Sequence, residues 1–357
     1  MATAPFDRVR TFMDAFGLGI PVLLAPMAGA CPPALSVAVG RAGGMGACGC
    51  LLMQPAEIAA WAAEVAAGTD APFQMNLWIP DPPPPRDPEA EAAVRGFLGT
   101  WGPVVPADAG DAAPPDFAAQ CAAILAVRPA AVSSIMGLYP PDFVAAMKAR
   151  GIRWFATATT VTEARAAERA GADVVVAQGM EAGGHRGAFD AASAEARMVG
   201  LFALLPAIVD AVSVPVVATG GIADARGAAA ALILGASAVQ IGTGFLRSPE
   251  AALPSAWADA IGGTAPERTL VTRAFSGRPG RSVATRYALA AAAPDAPPPA
   301  PYPVQRGLTQ AMRGLGARTD DIDRIQAWAG QSAALARAAP AAEIARDVWE
   351  EARALLG

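Results

Sequence analysis

Eight short apolar runs, at residues 20–25, 44–48, 73–78, 131–135, 152–156, 173–177, 214–219 and 238–241, are separated by stretches with helical periodicity. A run apolar at successive positions buries both faces, as a strand inside a parallel sheet must. Between the second and third runs Pro55 suits a first helical position, and Ile58, Trp61, Ala62 and Val65 then share one face. Thr160 and Glu163 have the spacing of a capping box, with Gly171 where that helix would end. Asp224 is placed to cap a helix over 225–234 that Gly235 would close. Eight β/α alternations predict an α/β fold, a (β/α)8 TIM barrel; an open doubly wound sheet is the alternative.

Two proline-rich stretches break this rhythm. Residues 80–88 follow the third run and should form a loop at the barrel mouth. Residues 294–303 lie in a long segment after the eighth run, where helical patterns predict a lid. On this reading residues 1–247 are the barrel core. Residues 248–357 are a helical C-terminal extension covering the mouth, with Tyr302 and Trp328 as candidates for its rim.

Composition narrows the function classes. The chain of 357 residues carries a net charge of −5 and has no basic run, so no nucleic-acid partner is expected. Lys148, on a predicted outer helix, is the single lysine. No segment reaches the roughly 18 uncharged apolar residues of a membrane span, and residues 1–10 show no signal-peptide core. The four cysteines lack zinc spacing, and Cys48-Gly49-Cys50 is too tight for ordinary chelation. A cytoplasmic enzyme without a metal, monomeric or homodimeric, is the expectation.

In such barrels the chemistry sits where the strands end. After the seventh run come Gly220 and Gly221, and after the eighth Gln240-Ile241-Gly242-Thr243-Gly244. Glycines there let backbone N–H groups approach a phosphate, which this fold commonly binds in those two loops. After the sixth run comes Gln178-Gly179-Met180-Glu181-Ala182-Gly183-Gly184-His185. His185 is the only histidine, and an imidazole at that position suits a proton acceptor. Glu181 reads as a residue that holds a loop or orients a partner. Met27, near the end of the first run, could lie against an aromatic ring system. Asn76, in the third, could bond a ring edge. Gly44-Met45-Gly46-Ala47-Cys48-Gly49 matches G-x-G-x-x-G, but its glycines begin a strand rather than open a helix, which excludes a dinucleotide turn.

Residues 21–49, 73–78, 177–187, 214–244, 275–281 and 328–331 together resemble the nitronate monooxygenase family. The Glu181-Ala182-Gly183-Gly184-His185 core is shared, with variation, by flavin-dependent enoyl reductases. Gln178 and Trp328-Ala329-Gly330-Gln331 look more like nitronate monooxygenase. The resemblance implies an FMN enzyme that oxidises alkyl nitronates with O2 to a carbonyl compound and nitrite. It implies that Asn76, Gln178, Gly183, Gly221, Gln240, Ile241, Gly242 and Thr243 contact FMN, that Met27 lies near it, and that His185 is the base for neutral nitroalkanes. Two alternatives remain on the same fold: an NAD(P)H-dependent flavin reductase of quinones or enoyl thioesters, and a non-redox phosphate-ligand isomerase or aldolase.

Overall fold

The computed structural model describes residues 5–357. All eight runs are strands of one parallel sheet: β1 (Val22–Leu24), β2 (Gly46–Gly49), β3 (Phe73–Trp78), β4 (Ala131–Ile135), β5 (Arg153–Ala158), β6 (Val174–Gln178), then β8 (Val216–Thr219) and β9 (Ala238–Ile241). Between β6 and β8 the chain makes a two-residue strand, β7 (Gly184–His185). The sheet order is β1-β9-β8-β6-β5-β4-β3-β2, and a parallel bridge from Leu23 to Met45 joins its ends. The result is a (β/α)8 barrel rather than an open sheet.

The glycines at 44–49 belong to β2 and its approach, as their strand-like spacing predicts. The helix Pro55–Gly68 buries Ile58, Trp61, Ala62 and Val65, the four residues of the expected face. Asp224 accepts from the Gly227 N–H at the start of the helix Ala225–Ile233. At Thr160 only half of the expected capping box forms. Thr160 Oγ1 accepts from the Glu163 N–H, but the Glu163 carboxylate accepts from the backbone N–H groups of Thr159 and Phe189. It thereby ties the end of β5 to the loop beyond β7.

The barrel interior changes character along its axis. At its lower end Leu23, Met45, Phe155, Val176, Val217 and Ala238 pack together with Phe12 of the N-terminal helix Pro5–Phe16. Two residues further along four of these strands, on the same face by the period of two, stand Thr157, Gln178, Thr219 and Gln240. The apolar plug closes the bottom, and the polar ring opens the top for a ligand.

The mouth is built over by two insertions. One is residues 79–116, which include the helix Pro88–Leu98. The other is the segment after β9. The sequence pattern predicts helices there, and the helices Val304–Leu308 and Gln310–Thr319 form, but so does a hairpin of β10 (Thr269–Thr272) and β11 (Gly280–Val283). The short β7 pairs with β11, so the hairpin is hydrogen-bonded to the loop that carries His185. The two insertions share an apolar core that includes Val94, Leu98, Phe275, Tyr287, Val304 and Leu308. The final helix, Ala341–Leu356, returns to the outside of the barrel and packs on Ala225–Ile233 and Pro33–Arg41, completing the outer ring. No helix among the described residues is long and apolar enough to cross a membrane.

Candidate active site

One deep cavity opens at the C-terminal ends of the strands. Among its walls are Met27, Asn76, Gln178, Gly183, His185, Gly220, Gly221, Gln240, Gly242 and Thr243. The barrel therefore gathers residues spread over more than 200 positions, because every loop after a strand emerges at the same end. Ile241 is the exception among the expected contacts. Its side chain is 1% exposed and packs between barrel and helices, as the alternation along β9 requires.

The glycines are shaped for close approach. Gly220 and Gly221 have φ of +105° and +71°, a region that L side chains rarely adopt. Their backbone N–H groups find no acceptor among the described residues. A Cβ at Gly183 would lie 2.5 Å from the Gly330 nitrogen and 2.9 Å from Thr243 Oγ1. Only glycine lets the segment at 328–331 lie against the loop, where the Gly330 N–H donates to Thr243 Oγ1 and the Gln331 N–H to the Glu181 carbonyl.

Glu181 has a definite task. Its two carboxylate oxygens accept from the Leu201 N–H at 2.9 and 3.0 Å, at the N-terminus of the helix Leu201–Val209. A carboxylate there satisfies an orphan donor and meets the positive end of the helix dipole. Glu181→Ala is expected to cost about 1–2 kcal/mol, as loss of a helix cap does. Urea unfolding checks this, and unchanged stability would contradict the capping role.

The amides divide their labour. Gln178 Nε2 donates to the His185 carbonyl at 3.1 Å, and Gln178 Oε1 accepts from the Gly187 N–H at 2.8 Å. Gln178 thus spends both ends holding the His185 loop. Arg186 Nη1 donates to the Gln178 carbonyl and Arg281 Nε to the Met180 carbonyl, pinning the same loop from behind. Asn76 Nδ2 donates to the carbonyl and hydroxyl of Ser133, which leaves Oδ1 as its free acceptor. Gln240 Oε1 accepts from Gln74 Nε2 at 3.0 Å, which leaves Gln240 Nε2 as a donor. The cavity therefore presents one amide acceptor and one amide donor from the barrel rim.

His185 stands in an aromatic frame. Its ring meets Trp78 at 4.6 Å and Trp328 at 4.8 Å between centroids, both edge-on, and Tyr302 packs behind Trp78 at 5.3 Å. Trp328 lines the cavity and Tyr302 stands at the mouth beside it. His185 Nε2 is 2.7 Å from Ser276 Oγ. With the proton on Nε2, the imidazole donates to Ser276, whose hydroxyl can donate to the Arg278 carbonyl, 3.3 Å away. Nδ1 is then the ring's acceptor.

Burial, then the positive charges of Arg278, Arg306 and Arg313, push the imidazole pKa down to about 3. His185 is neutral at physiological pH and a weak base. Arg278 is itself only 2% exposed. Its Nε lies 3.1 Å from Asp81 Oδ2 of the proline-rich loop, yet none of its nitrogens makes a well-aligned hydrogen bond. The contact is a charge pair that anchors the loop rather than a directed bond.

Arg186 falls within residues 177–187 and Ser276, Arg278 and Arg281 within 275–281, segments that carry the resemblance, but no periodicity marks their tasks, or that of Arg306, in the sequence. Ser276 is 91 residues from its imidazole partner, and only the hairpin brings the two together.

The nitronate monooxygenase family model matches residues 10–351. The chain is 41% identical to a nitronate monooxygenase of Pseudomonas aeruginosa, over 96% of this chain and 99% of that protein. It is 38% identical to one of Paraburkholderia phytofirmans, over 96% and 94%. Among solved structures, the nitroalkane oxidase of Streptomyces ansochromogenes superposes with a TM-score of 0.87 at 33% identity, covering 97% of this chain and all of that one. With the family model and these relatives matched across nearly its whole length, the chain belongs to the nitronate monooxygenase family, a family of oxidoreductases.

Proposed function

We propose that this protein binds FMN in the barrel mouth and oxidises alkyl nitronates with O2 to a carbonyl compound and nitrite. The observation that carries the reading is one continuous cavity with phosphate-type glycine turns and a neutral imidazole held between two tryptophans. The walls run from the glycine turns at Gly220, Gly221 and Gly242 to His185 between Trp78 and Trp328, so a ligand's phosphate end and its reacting end meet separate partners.

The residues suit the group. The Gly220 and Gly221 N–H groups, free of protein acceptors, and the turn at Gly242-Thr243-Gly244 would hold the phosphate. Asn76 Oδ1 and the Gln240 amide would address the polar edge of the flavin ring, and the Met27 thioether would lie near it. Gly183 would keep the backbone close to the cofactor, with Gln178 holding the loop above. Bound there, a flavin supplies the electron acceptor for the substrate and the reductant for O2. The chain's own part is to position the substrate and to keep bulk water out with Trp78, Trp328 and Tyr302.

The imidazole favours nitronates over neutral nitroalkanes. A conjugate acid with a pKa of about 3 makes proton abstraction from carbon uphill. A nitronate has already lost that proton, and its negative charge would offset the arginine field on His185.

The purified protein is expected to be yellow and to release FMN on denaturation. Mixed anaerobically, a nitronate should bleach the flavin while NADH leaves it oxidised. Rapid bleaching by NADH would favour a pyridine-nucleotide reductase, and a colourless protein that takes up no FMN would sink the flavin reading.

A further inference from the structure

Arg306 is half-buried on the helix Val304–Leu308 and lines the cavity that holds His185. It also lines an adjoining cleft with Gln54, Tyr302 and Arg313. It shares that cleft with Tyr302, which packs on Trp78, the ring neighbour of His185, so it lies toward the imidazole end of the cavity. Among the described residues no carboxylate pairs with it. The one neighbour that favours its charge is the phenol of Tyr302, and burial works against that charge.

Arg313, two turns further along the chain, strengthens the positive field. Its Nε donates to Thr309 Oγ1 at 3.0 Å and its Nη2 to the Arg306 carbonyl at 2.9 Å. It too lacks an acidic partner, and burial and Arg306 both disfavour its charge. Two partly buried guanidinium groups close together, with no carboxylate beside them among the described residues, are costly. The chain has 32 acidic residues against 27 Lys and Arg, so acids are not scarce, only absent from this spot. Such an arrangement is kept where an anion from outside completes it.

We propose that Arg306, backed by the charge of Arg313, is the specificity-determining residue that grips the two oxygens of an anionic nitronate head. This rests on the functional reading above and deepens it. A guanidinium fork matches two coplanar oxygens that share one negative charge, as it matches a carboxylate. A neutral nitroalkane presents the same two oxygens without the charge, so it is bound more weakly. The positive end of the cavity then adds to the weakness of the base in selecting the anionic substrate form.

The test compares wild-type holoenzyme with Arg306→Gln and Arg306→Lys on 2-nitropropane and on its preformed nitronate, which carries no other charge. Nitrate serves as an inert planar anion whose binding is followed by tryptophan fluorescence. Loss of a hydrogen-bonded charge contact of the usual strength should raise the nitronate KM and weaken nitrate binding about 10- to 100-fold in R306Q. The KM for the neutral nitroalkane should move less than about threefold by the same reasoning. R306K, which keeps the charge but loses the fork, should recover part of the nitrate affinity.

Nitrate and nitronate binding in R306Q as tight as in the wild type would overturn the proposal. So would an equal loss for charged and neutral substrates, or an R306K no better than R306Q. If the wild type does not oxidise nitronates at all, the functional reading fails, and the nitrate titration still decides the anion site.

Discussion

His185→Asn is expected to lower turnover of neutral nitroalkanes by about 10²-fold, the lower end of what removal of a general base costs. The lower end applies because an imidazole with a pKa near 3 is a weak base to begin with. Preformed nitronates should lose far less, since no C–H proton has to be taken. Asparagine retains a polar group toward Ser276, and the flavin content should not change because the glycine turns lie elsewhere in the cavity. Steady-state rates on the two substrate forms separate the roles. Equal loss on both would mean that His185 only positions the anion.

The same residue sets a pH signature. Its pKa falls from 6.5 to about 3 on folding, so between those values the unfolded chain binds a proton that the folded chain does not. The resulting stability is fully present above about pH 6.5 and is lost as the pH falls through this window. H185N should therefore be less acid-sensitive than the wild type in melting temperature measured from pH 7 to 4. The pH–rate profile should show no His185 limb near 6.5, and one that vanished in H185N would contradict the depressed pKa.

Gly242→Leu should yield a folded protein that holds little or no flavin. A Cβ at Gly242 would already stand 3.3 Å from Ala25 Cβ and 3.3 Å from Met27 Sδ. The remaining leucine carbons then have nowhere to go except into the cavity, over the phosphate turn. Gly242 has φ of −107° and ψ of −82°, outside the right-handed helical region, so a side chain there also strains the backbone. Absorbance at the flavin band and a thermal melt distinguish the outcomes. A variant with full flavin would place the phosphate site elsewhere, and one that fails to fold calls for Gly242→Ala, whose Cβ is tight but tolerable and should weaken flavin binding only partly.

Much of this architecture is written locally. The eight apolar runs are strands because both faces of each are buried. The face made by Ile58, Trp61, Ala62 and Val65 is a helix face because its spacing follows 3.6 residues per turn. The loops carrying Gly220, Gly242 and His185 share one end because parallel β/α units must all run the same way. That topology is readable from the alternation of patterns, and it places Gly220, Gly242 and His185 on one cavity.

Side-chain tasks were settled only by long-range closure of the chain. Glu181 caps a helix that starts 20 residues later, Gln178 clamps a loop, and Ile241 faces away from the cavity by the alternation of β9. The hairpin β10–β11 forms where periodicity suggested helices, because β7 offers it an open edge. The acidity of His185 depends on burial and on arginines at 278, 306 and 313, none of them near it in sequence. Local periodicity records what each segment buries. Which charges then face one another is fixed by how the covered barrel closes, and that is a property of the tertiary structure alone.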